Sequence, residues 1–182
     1  MIECRSTART KRGAKIERSD PNSPYALFRS LSYELKTSAL IRIFDLHVYL
    51  ESRGLVAEDF YDGCILYNFT TDEVWVCDIA HYHRGGFSLE RERKLGSSRF
   101  MATEEFVRGS TIDTRTTVYN LGRAAIIFLA NGENEESAWE GSIHLFRIIE
   151  GAVQVQPADR FSSVEDLHHA WMKAVYRQRS GE

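Results

Sequence analysis

The sequence predicts a mainly α-helical domain of the α+β class, with one small β-hairpin at an edge. Three observations carry this. Leu35, Ala39, Ile43, Leu46 and Leu50 recur at helical spacing. A second strongly apolar stretch runs from Asp113 to Ala130. Between them lie two short β-like runs, Cys64-Ile-Leu-Tyr-Asn-Phe69 and Glu73-Val-Trp-Val-Cys-Asp78, joined by the polar connection Thr70-Thr71-Asp72, which has hairpin length.

Taken in order, Met1 to Arg18 is polar and basic without an apolar h-region, so it reads as no secretory signal. Residues 1–23 are expected to be a poorly ordered lead-in, closed by the turn-forming Asp20-Pro21-Asn22-Ser23-Pro24. A short helix over Tyr25 to Leu31 and a long amphipathic one from about Ser32 to Arg53, stopped by Gly54, follow. After the hairpin, residues 80 to 99 show no periodicity. Their charged run, Glu90-Arg-Glu-Arg-Lys94, reads as solvated surface. Next come the Asp113 to Ala130 helix, a polar loop over Asn131 to Ser137, a helix around Ser142 to Val153 and a turn at Pro157-Ala-Asp. Ser162-Ser163-Val164-Glu165 supplies a capping box for a last helix through about Tyr176. The organisation expected is one folded unit over 24–177 and a tail over 178–182.

Composition narrows the function classes. A formal net charge of -3 argues against a general nucleic-acid binder, which needs a basic excess. No apolar run approaches the 18 or more residues of a membrane span. The cysteines Cys4, Cys64 and Cys77 lack the paired spacing of a zinc site or a disulfide framework. Reduced thiols without an export signal favour the cytoplasm. His81, His83, His168 and His169 lie as adjacent pairs on different elements, a poor arrangement for a metal.

Acidic residues cluster at the ends of the β-like segments. Asp59 and Asp62 lie in the loop after the long helix, and Asp78 ends the second strand, 19 positions after Asp59 (78 minus 59). The hairpin between them folds the chain back, so Asp59 and Asp78 can converge on one mouth. Two converging carboxylates suit a general base and a Mg²⁺ ligand, since hard cations prefer carboxylate oxygens. Loop aspartates also form turns and cap helices, and spacing leaves both readings open.

Gly54-Leu-Val-Ala-Glu-Asp59-Phe-Tyr-Asp-Gly-Cys64-Ile-Leu resembles the protein kinase catalytic loop, H-R-D-x-x-x-x-N after a short strand. Val76-Cys-Asp78-Ile-Ala80 resembles the strand ending in D-F-G, and Gly96-Ser-Ser-Arg-Phe-Met-Ala-Thr-Glu104-Glu is similar to the end of an activation segment with its A-P-E. Thr117-Val-Tyr-Asn-Leu-Gly122 resembles the central helix of the lower lobe, and Asp159-Arg160-Phe161-Ser162 the late segment whose arginine pairs with the A-P-E glutamate. These segments stand in kinase order over roughly residues 24 to 176, and their wording looks closest to bacterial serine/threonine kinase-like proteins. The resemblance implies a kinase-like C-terminal lobe binding ATP and Mg²⁺, with Asp59 as catalytic base, Asp78 as metal ligand and Cys64 at the cofactor-binding asparagine position. It further implies a Glu104–Arg160 ion pair and possible phosphosites at Ser97 and Ser98, which as plain exposed serines need no such role.

The chain departs from that pattern. The residue two after Asp59 is Tyr61 where a lysine belongs, Cys64 replaces an oxygen ligand with a soft one, and Thr117 stands where the central helix should carry aspartate. No G-x-G-x-x-G is present, and none of the five lysines (Lys11, Lys15, Lys36, Lys94, Lys173) follows a strand. The expectation is therefore a lobe without the N-terminal ATP-holding lobe, inactive alone. The alternatives are a non-catalytic pseudokinase-type module, engaging a protein partner or a second copy through the surface that lobe normally covers, and a small-molecule phosphotransferase of the kinase-like group.

Overall fold

A computed structural model of the chain describes residues 20–94 and 96–180. Most of the lead-in expected over 1–23 therefore lies outside the described residues. The architecture is mixed helix and strand, with helices dominant. Helix α1, Pro24–Arg29, starts where the Ser23 hydroxyl accepts the Ala26 N–H and proline occupies the first turn. Helix α2, Tyr33–Ser52, is capped by Ser32, whose side chain accepts from Leu35 N–H. Its buried face is Ala39, Leu40, Ile43, Phe44, His47 and Leu50, together with Lys36. Leu35 and Leu46, expected on that stripe, are only half-buried. The stripe is rotated because α2 touches other helices on one side and the hairpin on another.

Strand β1, Leu55–Val56, leads out of α2. Strands β2, Ile65–Asn68, and β3, Glu73–Val76, form the expected antiparallel hairpin, with Ile65 opposite Val76 and Asn68 opposite Glu73. The region without periodicity contributes β4, His83–Arg84, which pairs with β1, and β5, Phe87–Ser88, which pairs with β6, Thr111–Ile112. Two-residue strands are too short to show a period of two, so the sequence carried no trace of them.

Helix α3, Thr114–Ala130, runs through the centre, with most of its residues buried. Asp113 caps it by accepting from Arg115 N–H while the Thr116 hydroxyl answers to Asp113 N–H, and Asn131 closes it in the left-handed conformation at φ 55°. Helices α4, Ile143–Ala152, and α5, Val164–Ser180, pack on α3 and on each other. The α5 cap differs from the expected Ser162–Glu165 box. Ser163 accepts from Asp166 N–H at 3.0 Å, and the Glu51 carboxylate at the end of α2 accepts from Val164 N–H and Glu165 N–H. A distant carboxylate thus shares the capping, and α5 continues past Tyr176 to Ser180, into the expected tail. One continuous core joins α2, α3, α4, α5 and the hairpin, with Trp171 and Phe44 meeting edge to face at 5.5 Å. Among the described residues, no helix is long and apolar enough to cross a membrane.

Candidate functional site

Asp59 and Asp78 occupy equivalent positions. Each follows a short strand, β1 or β3, and each holds a left-handed backbone, φ 59° and 63°. Aspartate tolerates that conformation better than most residues, because its short polar side chain can compensate locally. The two carboxylates lie within electrostatic range. Burial pushes the Asp59 carboxyl above the usual aspartate range, and the charges of Asp78 and Glu58 act in the same direction, against His81 and Lys94. Asp78 is exposed.

The Asp59 side chain is half-buried, and one of its two oxygens is covered. Its Oδ1 is buried and has no hydrogen-bond partner among the described residues. Gly96 lies against it so closely that a Cβ there would sit 2.4 Å from that oxygen. Gly96 also holds φ +115°, so the contact requires glycine twice over. Cys64 sits behind, its Sγ donating to the Asp59 carbonyl at 3.2 Å, and burial pushes the thiol up to about 12. A neutral thiol engaged as a donor is no ligand for a hard cation. The Cys77 thiol lies 3.6 Å from Asp78 Oδ2, and no group of three His, Cys, Asp or Glu side chains able to hold a metal occurs among the described residues. For an ATP-bound Mg²⁺ the oxygen ligand at the Cys64 position is replaced by a protonated thiol, which leaves the Asp78 carboxylate, and a metal held by one or two carboxylates relies on substrate phosphates bound by other groups.

Asp62 is buried in a 3₁₀ turn and pairs with Arg99 at 2.6 Å. Its role is to tie this loop to the segment after Gly96. The structure brings Glu104 and Arg160 together as a fork. Arg160 Nη1 reaches Glu104 Oε1 at 2.6 Å and Nη2 reaches Oε2 at 3.0 Å, with the arginine side chain fully buried. Arg160 also donates to the carbonyls of Gln154, Arg115 and Val155, and the Thr116 hydroxyl donates to Glu104. Burial raises the Glu104 carboxyl, but the Arg160 hydrogen bonds and charge outweigh it, and the net shift is downward. Ser97 is half-buried and Ser98 exposed.

Lys94 corrects the surface reading of its run. Glu90 to Arg93 are exposed, but Lys94 is 2% exposed, donating to the Ala57 carbonyl at 3.0 Å and pairing with Glu105 at 3.4 Å. Glu105 in turn accepts from Ala102 N–H and the Asn120 amide, and Asn120 also donates to the Phe100 carbonyl. Thr117, where an aspartate was expected, accepts from Ala57 N–H at 3.0 Å. The residue two before Asp59 is therefore clamped at both backbone groups.

His47 is a second group that sequence reasoning passed over. It is fully buried, and burial holds its imidazole down to about 4. Nδ1–H donates to the Ile43 carbonyl at 2.7 Å, so Nε2 accepts from the Tyr82 hydroxyl at 2.7 Å. The ring also stacks edge-on with Phe60, 4.7 Å between centroids. One neutral histidine thus braces the residue after Asp59 and the turn that follows Asp78. No local pattern marked either residue. Lys94 and Ala57 are 37 positions apart, and His47 and Tyr82 are 35.

Compared with known families and curated proteins, the chain matches no family model and no curated sequence.

Proposed function

We propose that the chain is a serine/threonine protein kinase-like lower lobe with a degenerate phosphoryl-transfer site, acting by binding rather than by catalysis when alone. The observation that carries this reading is the state of Asp59, the carboxylate in the catalytic-loop position. One of its two oxygens, Oδ1, is shut off by Gly96, and a protonated Cys64 stands behind it where an oxygen ligand for the metal belongs, so the base and metal site that phosphoryl transfer needs are both impaired. The order of motifs supports the kinase-like assignment, as do the clamp on Ala57 and the Glu104–Arg160 fork. That fork favours the protein-kinase branch over a small-molecule phosphotransferase, since it ties the segment expected to meet a protein substrate into the helical body.

Binding falls on the outer face of the hairpin, the surface a nucleotide-holding lobe would cover. Leu66 and Trp75 pair across the strands on that face, and Trp75 is 40% exposed, as is Phe69 at the turn. A protein partner or a second copy is the expected occupant. A second reading, phosphoryl transfer from ATP-Mg²⁺, draws on the raised Asp59 carboxyl, because perturbed carboxylates concentrate at reactive sites. Isothermal titration of the 182-residue chain with ATP and Mg²⁺ decides between the two. The binding-module reading expects no saturable heat at micromolar nucleotide. Micromolar binding lost in Asp78→Ala makes the enzyme reading the correct one.

A further inference from the structure

A groove of about 760 Å³ opens between the first turn of α4 and the last turns of α5. It lies far from the aspartates. Glu51 at the end of α2 caps the start of α5, and Tyr33 at the start of α2 bonds Gln178 near the end of α5. The two helices are therefore antiparallel, and the groove sits at the end of α2 opposite the one that feeds β1 and Asp59. A helix of this length separates the two regions by about 30 Å.

The floor of the groove is apolar, formed by Ile148, Ala170 and Ala174, and its rim carries Lys173, Arg177 and His144. No carboxylate lines it, in a chain with more acidic than basic residues. Among the described residues, neither Lys173 nor Arg177 joins an ion pair. The wall is built in advance. The Tyr33 hydroxyl donates to Gln178 at 2.9 Å, and the Tyr33 ring rests on Gly141 so closely that a Cβ there would lie 2.4 Å from it.

We propose that this groove docks an acidic polypeptide segment of a partner protein, independently of the kinase-like reading. Charge complementarity selects the sign, and size selects the class, since the volume is that of a ligand-sized site rather than of one small anion. Spacing fits as well. Lys173 and Arg177 lie one turn apart on the same helix face, about 6 Å along the axis. Alternate residues of an extended chain repeat on one side at about 6.6 Å, so a Glu-x-Glu segment matches the pair while an apolar side chain two residues further along, on the same side, covers Ile148 and Ala170.

The test is fluorescence anisotropy of the full chain with a labelled peptide, Gly-Glu-Glu-Leu-Glu-Glu-Phe-Glu-Gly. The expected result is saturable binding that weakens with salt and drops about tenfold or more in the double variant Lys173→Glu/Arg177→Glu. Both side chains are exposed, so the variant retains its circular dichroism, and a peptide with Lys for Glu should bind it in place of the acidic one. Absence of saturable binding overturns the proposal, as does equal binding by the double variant or by a peptide with Gln for Glu. Full displacement by equimolar inorganic phosphate assigns the groove to small anions instead. A concentration-dependent dimer that the double variant abolishes assigns it to a second copy.

Discussion

Replacing Glu104 by alanine tests the fork that ties the segment after Gly96 to the start of α5. The substitution removes both acceptors of a bidentate pair, at 2.6 and 3.0 Å, from an arginine with no exposed surface. Three backbone carbonyls would remain around the guanidinium, but no negative charge among its hydrogen-bond partners. Leaving one charge of a buried pair uncompensated costs about 3–5 kcal/mol. For a chain of this size each 1 kcal/mol lowers the melting midpoint by about 2–4 °C, so a drop of about 6–20 °C is expected. The assay is calorimetric or circular-dichroism melting of the wild type, Glu104→Ala, Arg160→Met and the double variant. Each single variant should melt far below the wild type, and the double variant should lose much less than the sum, because no stranded charge remains. The pair also sets a pH dependence. The folded Glu104 carboxyl lies below its unfolded value, so its stabilisation is complete above the unfolded value near 4.5 and is lost as pH falls below it. An unchanged midpoint in Glu104→Ala, or strictly additive losses, would refute the reasoning.

Three further outcomes follow from the same site. His47 is neutral in the folded chain down to about 4, whereas an unfolded histidine gains a proton near 6.5. Stability should therefore fall by about 3 kcal/mol between those values, and urea titrations of His47→Gln should show that slope flattened. Asp59 has a raised folded value, so its ionised form opposes folding at neutral pH. Asp59→Asn should raise the urea midpoint at pH 7, with the gain shrinking toward pH 4, and a less stable variant at pH 7 would contradict the burial of its unpartnered Oδ1 as a cost to folding. Gly96→Ala drives a Cβ into Asp59 at a backbone angle that favours glycine. It should cost about 1–3 kcal/mol, read by the same titration, and a neutral result would show that the segment does not rest on Asp59.

The sequence by itself determined the local elements of this chain. Ser32, Asp113 and Ser142 stand at the helix starts that the sequence predicted, and each caps its helix there, because a capping bond closes within three residues and the donors and acceptors are neighbours in the chain. The β2–β3 hairpin was legible for the same reason, its two strands being joined by a short polar connection, four residues long in the structure. The Glu104–Arg160 contact was legible only through resemblance, since 56 positions separate the partners. Tertiary structure alone decided the rest. It buried Lys94, the last residue of an otherwise exposed charged run, by bringing the Ala57 carbonyl and Glu105 to its ammonium group. It turned His47 into a neutral brace by placing Tyr82 against it, set Glu51 as a cap for a helix that begins 113 residues later, and pressed Gly96 onto Asp59. Each of these depends on which surfaces meet when the helices pack. Burial, and with it protonation state and reactivity, is a property of the assembled neighbours and is not encoded in any one segment.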